Sequence, residues 1–182
     1  MLYPISLQVT GFIVGVLLIL IHAYALLQPA VCQRALAGFP RSSLLGPALL
    51  SVAAIWTLVL IQQMDLGEFA PFRRILLIAT LIAWGLSWKF VPEFLSVRAL
   101  GMLLLLAAEP LLSAAFLHPE TSRLLLVTLA YAWILLGLFW VGMPFLLRDQ
   151  ITWVSKTPNR WRAMAGAGLV YGVLILGFAF TW

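Results

Sequence analysis

Residues 102–116 read MLLLLAAEPLLSAAF, an almost unbroken apolar run in which Glu109 and Pro110 stand side by side. With its flanks, the run reaches the roughly 20 apolar residues that an α-helix needs to cross a bilayer. Similar runs recur along the chain, in which 64% of residues are hydrophobic, 9% are charged and the mean hydropathy is +1.08. A soluble core of this size would not bury so much apolar surface, so the sequence predicts an integral membrane protein.

The apolar runs and the short polar connections between them predict an all-α transmembrane bundle of six helices. We expect one transmembrane domain over 1–182, with helices at about 6–28, 44–63, 73–89, 97–117, 123–147 and 162–181. Segments 29–40 and 148–161 mix apolar, aromatic and basic residues, a pattern typical of short helices that lie along a membrane surface.

Basic residues predict the orientation of the bundle. If the N-terminus is outside, eight of the eleven basic residues fall on the cytoplasmic side: Arg34, Arg41, Lys89, Arg98, Arg148, Lys156, Arg160 and Arg162. Arg73, Arg74 and Arg123 are left outside. The positive-inside rule therefore favours an N-out, C-out arrangement, with a bacterial cytoplasmic (inner) membrane as the expected location. Of these residues, Arg148, Lys156, Arg160 and Arg162 are candidates for contact with lipid headgroups or the interface.

Two pairs of glycines predict close helix packing. Gly11 and Gly15 lie in the first predicted helix, and Gly168 and Gly172 lie in the last. Small residues four positions apart let helix backbones approach closely, so the first and sixth helices are expected to make tight contacts. The sequence leaves open whether those contacts lie within one chain or between two chains.

Glu109 is the candidate for an intramembrane polar site. At 100° per residue it shares one helix face with Arg98, Met102, Leu105 and Ser113. Pro110 cannot donate a backbone hydrogen bond, which leaves a carbonyl oxygen one turn earlier for Glu109 or Ser113 to satisfy.

Three residues on other helices are expected at a similar depth and can hydrogen-bond a carboxyl group: Trp56, Thr80 and Tyr131. We expect no Lys or Arg at that depth, and an unpaired carboxylate is costly inside a membrane, so the neutral acid is favoured. Two interpretations of Glu109 stay open: an ion or proton pathway, and a hydrogen-bonding strut between helices.

Histidines and aspartates argue against autonomous catalysis. His22 is a possible single axial ligand for a haem or pigment, but His118 is expected most of a membrane away, so the two cannot clamp a haem. Asp65 and Asp149 fall in connections on opposite sides, and the sequence has no metalloprotease, P-loop or dinucleotide motif. No metal site is predicted, and the cofactor stays unknown.

These features favour a non-catalytic accessory or structural subunit of a larger membrane complex. The expected partners are the lipid bilayer and other membrane proteins, with no nucleic acid. A small proton-coupled transporter that uses Glu109 is the alternative, and a haem-, quinone- or pigment-binding subunit of an electron-transfer or photosynthetic complex is a further one.

Overall fold

The structure, a computed structural model, describes residues 5–91 and 93–182. Within these ranges the regular elements are helices, and no strand is present. The α-helices in chain order are α1 Leu7–Leu27, α2 Pro29–Gly38, α3 Leu45–Gln63, α4 Arg73–Phe90, α5 Leu95–Ala115, α6 Leu124–Gly142, α7 Phe145–Ser155 and α8 Pro158–Ala179. All except α2 and α7 belong to helical segments long and apolar enough to cross a membrane; the segments that contain α4 and α6 begin with short 3-10 helices and run over Gly67–Phe90 and Thr121–Gly142. The all-helical class and the six candidate spans are thus confirmed.

The predicted end of the fifth span at residue 147 is wrong, because α6 ends at Gly142. Met143 leaves the helical conformation, with φ −128° and ψ 71°, as is common for a residue that precedes proline. Pro144 has no backbone N–H with which to continue the α6 ladder. A separate helix, α7, then begins at Phe145, three residues before the predicted surface segment.

The last span begins at Pro158, four residues before its predicted start. The Thr157 hydroxyl accepts a hydrogen bond from the backbone N–H of Arg160 at 3.4 Å, and proline suits the first helical position. The fourth span, α5, begins two residues early at Leu95. Pro92, in the predicted connection before α5, lies outside the described residues.

Two antiparallel helix pairs organise the interior. The first is α1 with α8, and the second is α5 with α6. Their largest apolar core lies where these four helices meet and contains Leu7, Val14, Leu18, Ala108, Leu111, Ala115, Leu126, Ala130 and Ile175. The remaining long helices lie to one side, where α3 packs on α5 and α4 packs mainly on α3. No residue of α4 is buried.

The connections that carry most of the basic residues meet at one end of the molecule, which we name the basic end (residues 28–44, 89–91, 93–98 and 143–162). Here α2 packs against α7. The buried Ser96 hydroxyl donates to the Phe39 carbonyl at 2.7 Å, and the Trp161 indole N–H donates to the Ala25 carbonyl at 2.8 Å. The first bond ties the connection after α2 to the start of α5, and the second ties the end of α1 to the start of α8.

Candidate functional site

The four predicted packing glycines lie at the contact between α1 and α8 within one chain. A methyl group on Gly15 would lie 3.0 Å from the backbone nitrogen of Leu176, and one on Gly172 would lie 2.9 Å from the Leu18 Cβ. Gly11 faces the ring of Trp182. Gly168 faces the ring of His22. The absence of side chains at these positions is what lets the two backbones lie so close.

A further glycine contact, between Gly101 of α5 and Gly137 of α6, was missed from the sequence. A methyl group on Gly101 would lie 2.9 Å from the Gly137 carbonyl oxygen, and the reverse distance is 2.8 Å. Neither glycine has a small partner four residues away in its own helix, so the spacing rule does not detect them. Glycines at matching depths of consecutive antiparallel helices are the signal that could have found them.

His22 is held between α1 and α8. Its Nδ1 lies 2.8 Å from the Leu18 carbonyl oxygen, which can only accept, so Nδ1 carries a proton and donates. Its Nε2 lies against Gly168. An axial ligand to a haem or pigment needs an open position at this nitrogen, and the backbone of α8 at Gly168 lies beside it. The ring does border a cavity of about 430 Å³ between α1, α6 and α8, where Tyr171 donates to the Leu125 carbonyl at 2.8 Å.

Glu109 lies in a groove between α5 and α6. The Ser113 hydroxyl, one turn later, donates to Oε1 at 2.7 Å. The other oxygen, Oε2, is buried, and nothing within residues 5–91 and 93–182 hydrogen-bonds to it. The cavity beside it measures about 420 Å³ and is otherwise lined mainly by apolar side chains, among them Leu112, Phe116 and Ile134. The carboxyl group is therefore held in place through Oε1, while Oε2 is buried and unpaired among the described residues, and Glu109 borders an apolar cavity.

The three residues predicted at the depth of Glu109 do not line its cavity. Thr80 donates to the Leu76 carbonyl at 2.9 Å and faces a different cavity, between α3, α4 and α5. Tyr131 is 57% exposed on α6. Trp56 lies half-buried on α3. Although the sequence predicts a similar depth for these three residues and Glu109, their side chains do not meet at the Glu109 cavity.

The cavity between α3, α4 and α5 adjoins that of Glu109, because Leu105 lines both. It measures about 300 Å³, and small side chains form much of its wall: Ala53, Ala54, Thr57, Thr80, Ala83 and Ser87. We name the two adjoining cavities the α5 groove. The predicted stripe Met102, Leu105, Glu109 and Ser113 lines it, and the fifth member, Arg98, lies closer to the basic end.

The predicted headgroup residues all lie at the basic end. Arg148 pairs with Asp149 at 2.8 Å, with both side chains about half exposed. The Arg160 guanidinium lies 4.7 Å from the ring centre of Trp153. Lys156 and Arg162 are exposed. A site for lipid at this end is compatible with these positions.

Comparisons with protein-family models, with curated proteins and with solved structures found no match. Over the described ranges, no group of three or more His, Cys, Asp or Glu side chains is placed to hold a metal ion. Among the cavities, the α5 groove is distinguished by Glu109, whose Oε2 is buried and unpaired among the described residues.

Proposed function

We propose that this chain is a non-catalytic multi-pass membrane protein that acts as an accessory subunit, and that its α5 groove receives a transmembrane helix of a partner protein. The observation that carries the proposal is the Glu109 carboxyl group, with Oε1 fixed by Ser113 and Oε2 unpaired among the described residues.

An unpaired carboxyl oxygen is costly in the membrane interior, because no bulk water is there to hydrogen-bond to it. A hydrogen-bonding group on a partner helix removes this cost, and such interhelical hydrogen bonds contribute about 1–2 kcal/mol in model peptides. Ser113 holds the carboxyl group in one position, which reduces the conformational entropy that the partner contact has to overcome.

The shape of the groove supports a helix as its occupant. Alanines and hydroxyl side chains line the part between α3 and α4, and small side chains of this kind allow a further helix to approach closely. On α4, Ile78 and Ile82 are 57% and 55% exposed, and no α4 residue is buried. A helix bound along the groove would give α4 a second neighbour besides α3.

We further propose the N-out, C-out orientation in a bacterial inner membrane. It is supported by the contrast between the two ends of the molecule. At the basic end, most basic side chains are exposed or half-exposed. At the other end, Arg73 donates to the Met64 carbonyl at 2.9 Å and Arg123 to the Ala115 carbonyl at 2.8 Å. These two arginines hydrogen-bond to carbonyls at the C-terminal ends of α3 and α5. Helix capping therefore explains why two basic residues lie on the side that the proposed orientation puts outside.

A photo-crosslinking experiment in native membranes tests the subunit proposal. A photoreactive amino acid at Leu112, which lines the groove, is expected to capture one defined membrane polypeptide. The matched control is Leu135, which is 57% exposed on α6 and does not line the groove. Glu109→Gln, which retains hydrogen-bonding ability, is expected to keep the adduct, and Glu109→Leu to lose most of it. Equal labelling from Leu112 and Leu135, or an adduct unchanged in Glu109→Leu, contradicts the proposal.

The same carboxyl group supports a second proposal, a proton-coupled transporter. This function requires a group that exchanges a proton, so Glu109→Gln abolishes transport in reconstituted vesicles while the protein still inserts. The subunit proposal expects the opposite for this variant, namely a retained complex. For the cofactor-binding alternative, the Nε2 of His22 packs beside the backbone of Gly168, which hinders an axial ligand, and we expect purified protein to be colourless.

A further inference from the structure

A second groove lies at the basic end, between α2 and α7. Its volume is about 420 Å³, and it is distinct from the α5 groove. No residue of α2 is buried, and Leu147 is the one buried residue described for α7. Short helices with so little buried surface are typical of the membrane interface, where one face contacts acyl chains and the other water.

The polar wall of this groove carries hydrogen-bond donors from both helices. Arg34 comes from α2, and Arg148 and Ser155 come from α7. The Arg34 Nε contacts the Ala30 carbonyl at 3.4 Å, and its terminal nitrogens have no partner in the part of the chain that the structure describes. The Ser155 hydroxyl is buried and likewise unpaired among the described residues. Arg148 pairs with Asp149, so Arg34 and Ser155 are the two groups of the groove that have donors without an acceptor among the described residues.

The charge of the groove is positive. Arg34 and Arg148 are its charged lining residues, and Asp149, which pairs with Arg148, does not line it. An adjoining cavity of about 510 Å³ shares Arg148 and adds Arg41 and Glu93. One phosphate diester, with a single negative charge and several acceptor oxygens, would complement this arrangement.

The rest of the groove wall is mainly apolar and includes Ala37, Pro40 and Ile151. A free phosphate ion gains nothing from such a wall, whereas a glycerol backbone and the start of an acyl chain pack against it. We propose that the groove between α2 and α7 binds one anionic glycerophospholipid, with its phosphodiester held by Arg34, Arg148 and Ser155. Such a lipid would hold the two surface helices together at the end of the bundle.

Native mass spectrometry of the full chain in mild detergent tests this site. Dioleoyl phosphatidylglycerol is the probe, and dioleoyl phosphatidylcholine, which has no net charge, is the lipid control. Wild-type protein is expected to bind one molecule of phosphatidylglycerol more tightly than any further molecules of the same lipid. Arg34→Gln and Arg148→Gln each remove charge-assisted hydrogen bonds, and each is expected to weaken this binding roughly tenfold.

Lys89→Gln is the matched control, since Lys89 is exposed and the change removes one positive charge from the basic end outside the groove. We expect it to change the affinity less than about twofold, because exposed charges are screened by salt. Arg34→Lys keeps the charge but loses the planar guanidinium group and its paired donors, so its affinity for phosphatidylglycerol is expected to fall between those of wild type and Arg34→Gln. Equal losses in all of the neutralising variants, or equal binding of both lipids, would show a general charge effect and overturn the site. Displacement of the lipid by millimolar inorganic phosphate would overturn the lipid as occupant.

Discussion

Replacing Gly172 by alanine tests whether close backbone contact between α1 and α8 holds this protein together. The added methyl group would lie 2.9 Å from the Leu18 Cβ and 3.0 Å from the backbone nitrogen of Ile19. Ordinary contacts begin near 3.4 Å, so the helices must separate locally by roughly 0.5 Å. Because two of the nearest atoms belong to the α1 backbone, no side-chain rotation relieves the clash.

Overpacking of this kind costs about 1–3 kcal/mol, and the better helix propensity of alanine returns up to about 1 kcal/mol. We therefore expect Gly172→Ala to lower the free energy of unfolding by about 1–2 kcal/mol. Gly177→Ala is the control on the same helix, because a methyl group there meets nothing within 4 Å. Equilibrium unfolding of detergent-solubilised protein by sodium dodecyl sulfate, followed by circular dichroism, measures both variants. Equal stabilities for the two variants would refute the reasoning.

Three further substitutions probe the remaining contacts by the same assay. Gly137→Ala is expected to destabilise the α5–α6 pair by about 1–3 kcal/mol, whereas Gly142→Ala should not, because a methyl group on Gly142 meets open space. Equal effects of the two variants would argue against close packing between α5 and α6 at Gly137. Trp161→Phe removes the hydrogen bond to the end of α1 and should cost about 1–2 kcal/mol; wild-type stability would make that bond unimportant. Ser96→Ala removes one of two hydrogen bonds to the Phe39 carbonyl, which keeps the bond from the Ser42 backbone N–H, and should cost about 0.5–1.5 kcal/mol, and limited proteolysis should then cleave residues 39–44 faster.

The helices were predictable because bilayer thickness fixes the length of a span and apolar runs of that length are easy to recognise. The error at the end of α6 has a local cause. Residues 143–147 are as apolar as the helix before them, so hydropathy extends the span, while Pro144 ends the hydrogen-bond ladder. Hydropathy measures preference for lipid, and it does not detect a break in the backbone.

Part of the candidate site followed from helix periodicity. The spacing of Glu109 and Ser113 places them one turn apart on one face, and the structure has a hydrogen bond between them. The surroundings of Glu109 were not predictable from depth. Depth gives a position along the membrane normal, whereas contact between helices also depends on how each helix is rotated. Thr80 and Tyr131 therefore face other surroundings, a cavity next to α4 and the outer face of α6.

The native mass of the particle tests the central claim most directly. The protein would be purified at native expression level from its own membrane in a mild detergent, and its mass and co-purifying polypeptides would be determined together. Our account predicts a particle clearly larger than the 20.1 kDa chain, with one stoichiometric membrane partner that is lost in Glu109→Leu and kept in Glu109→Gln. A homogeneous particle that contains this chain alone, in wild type and in both variants, would contradict it.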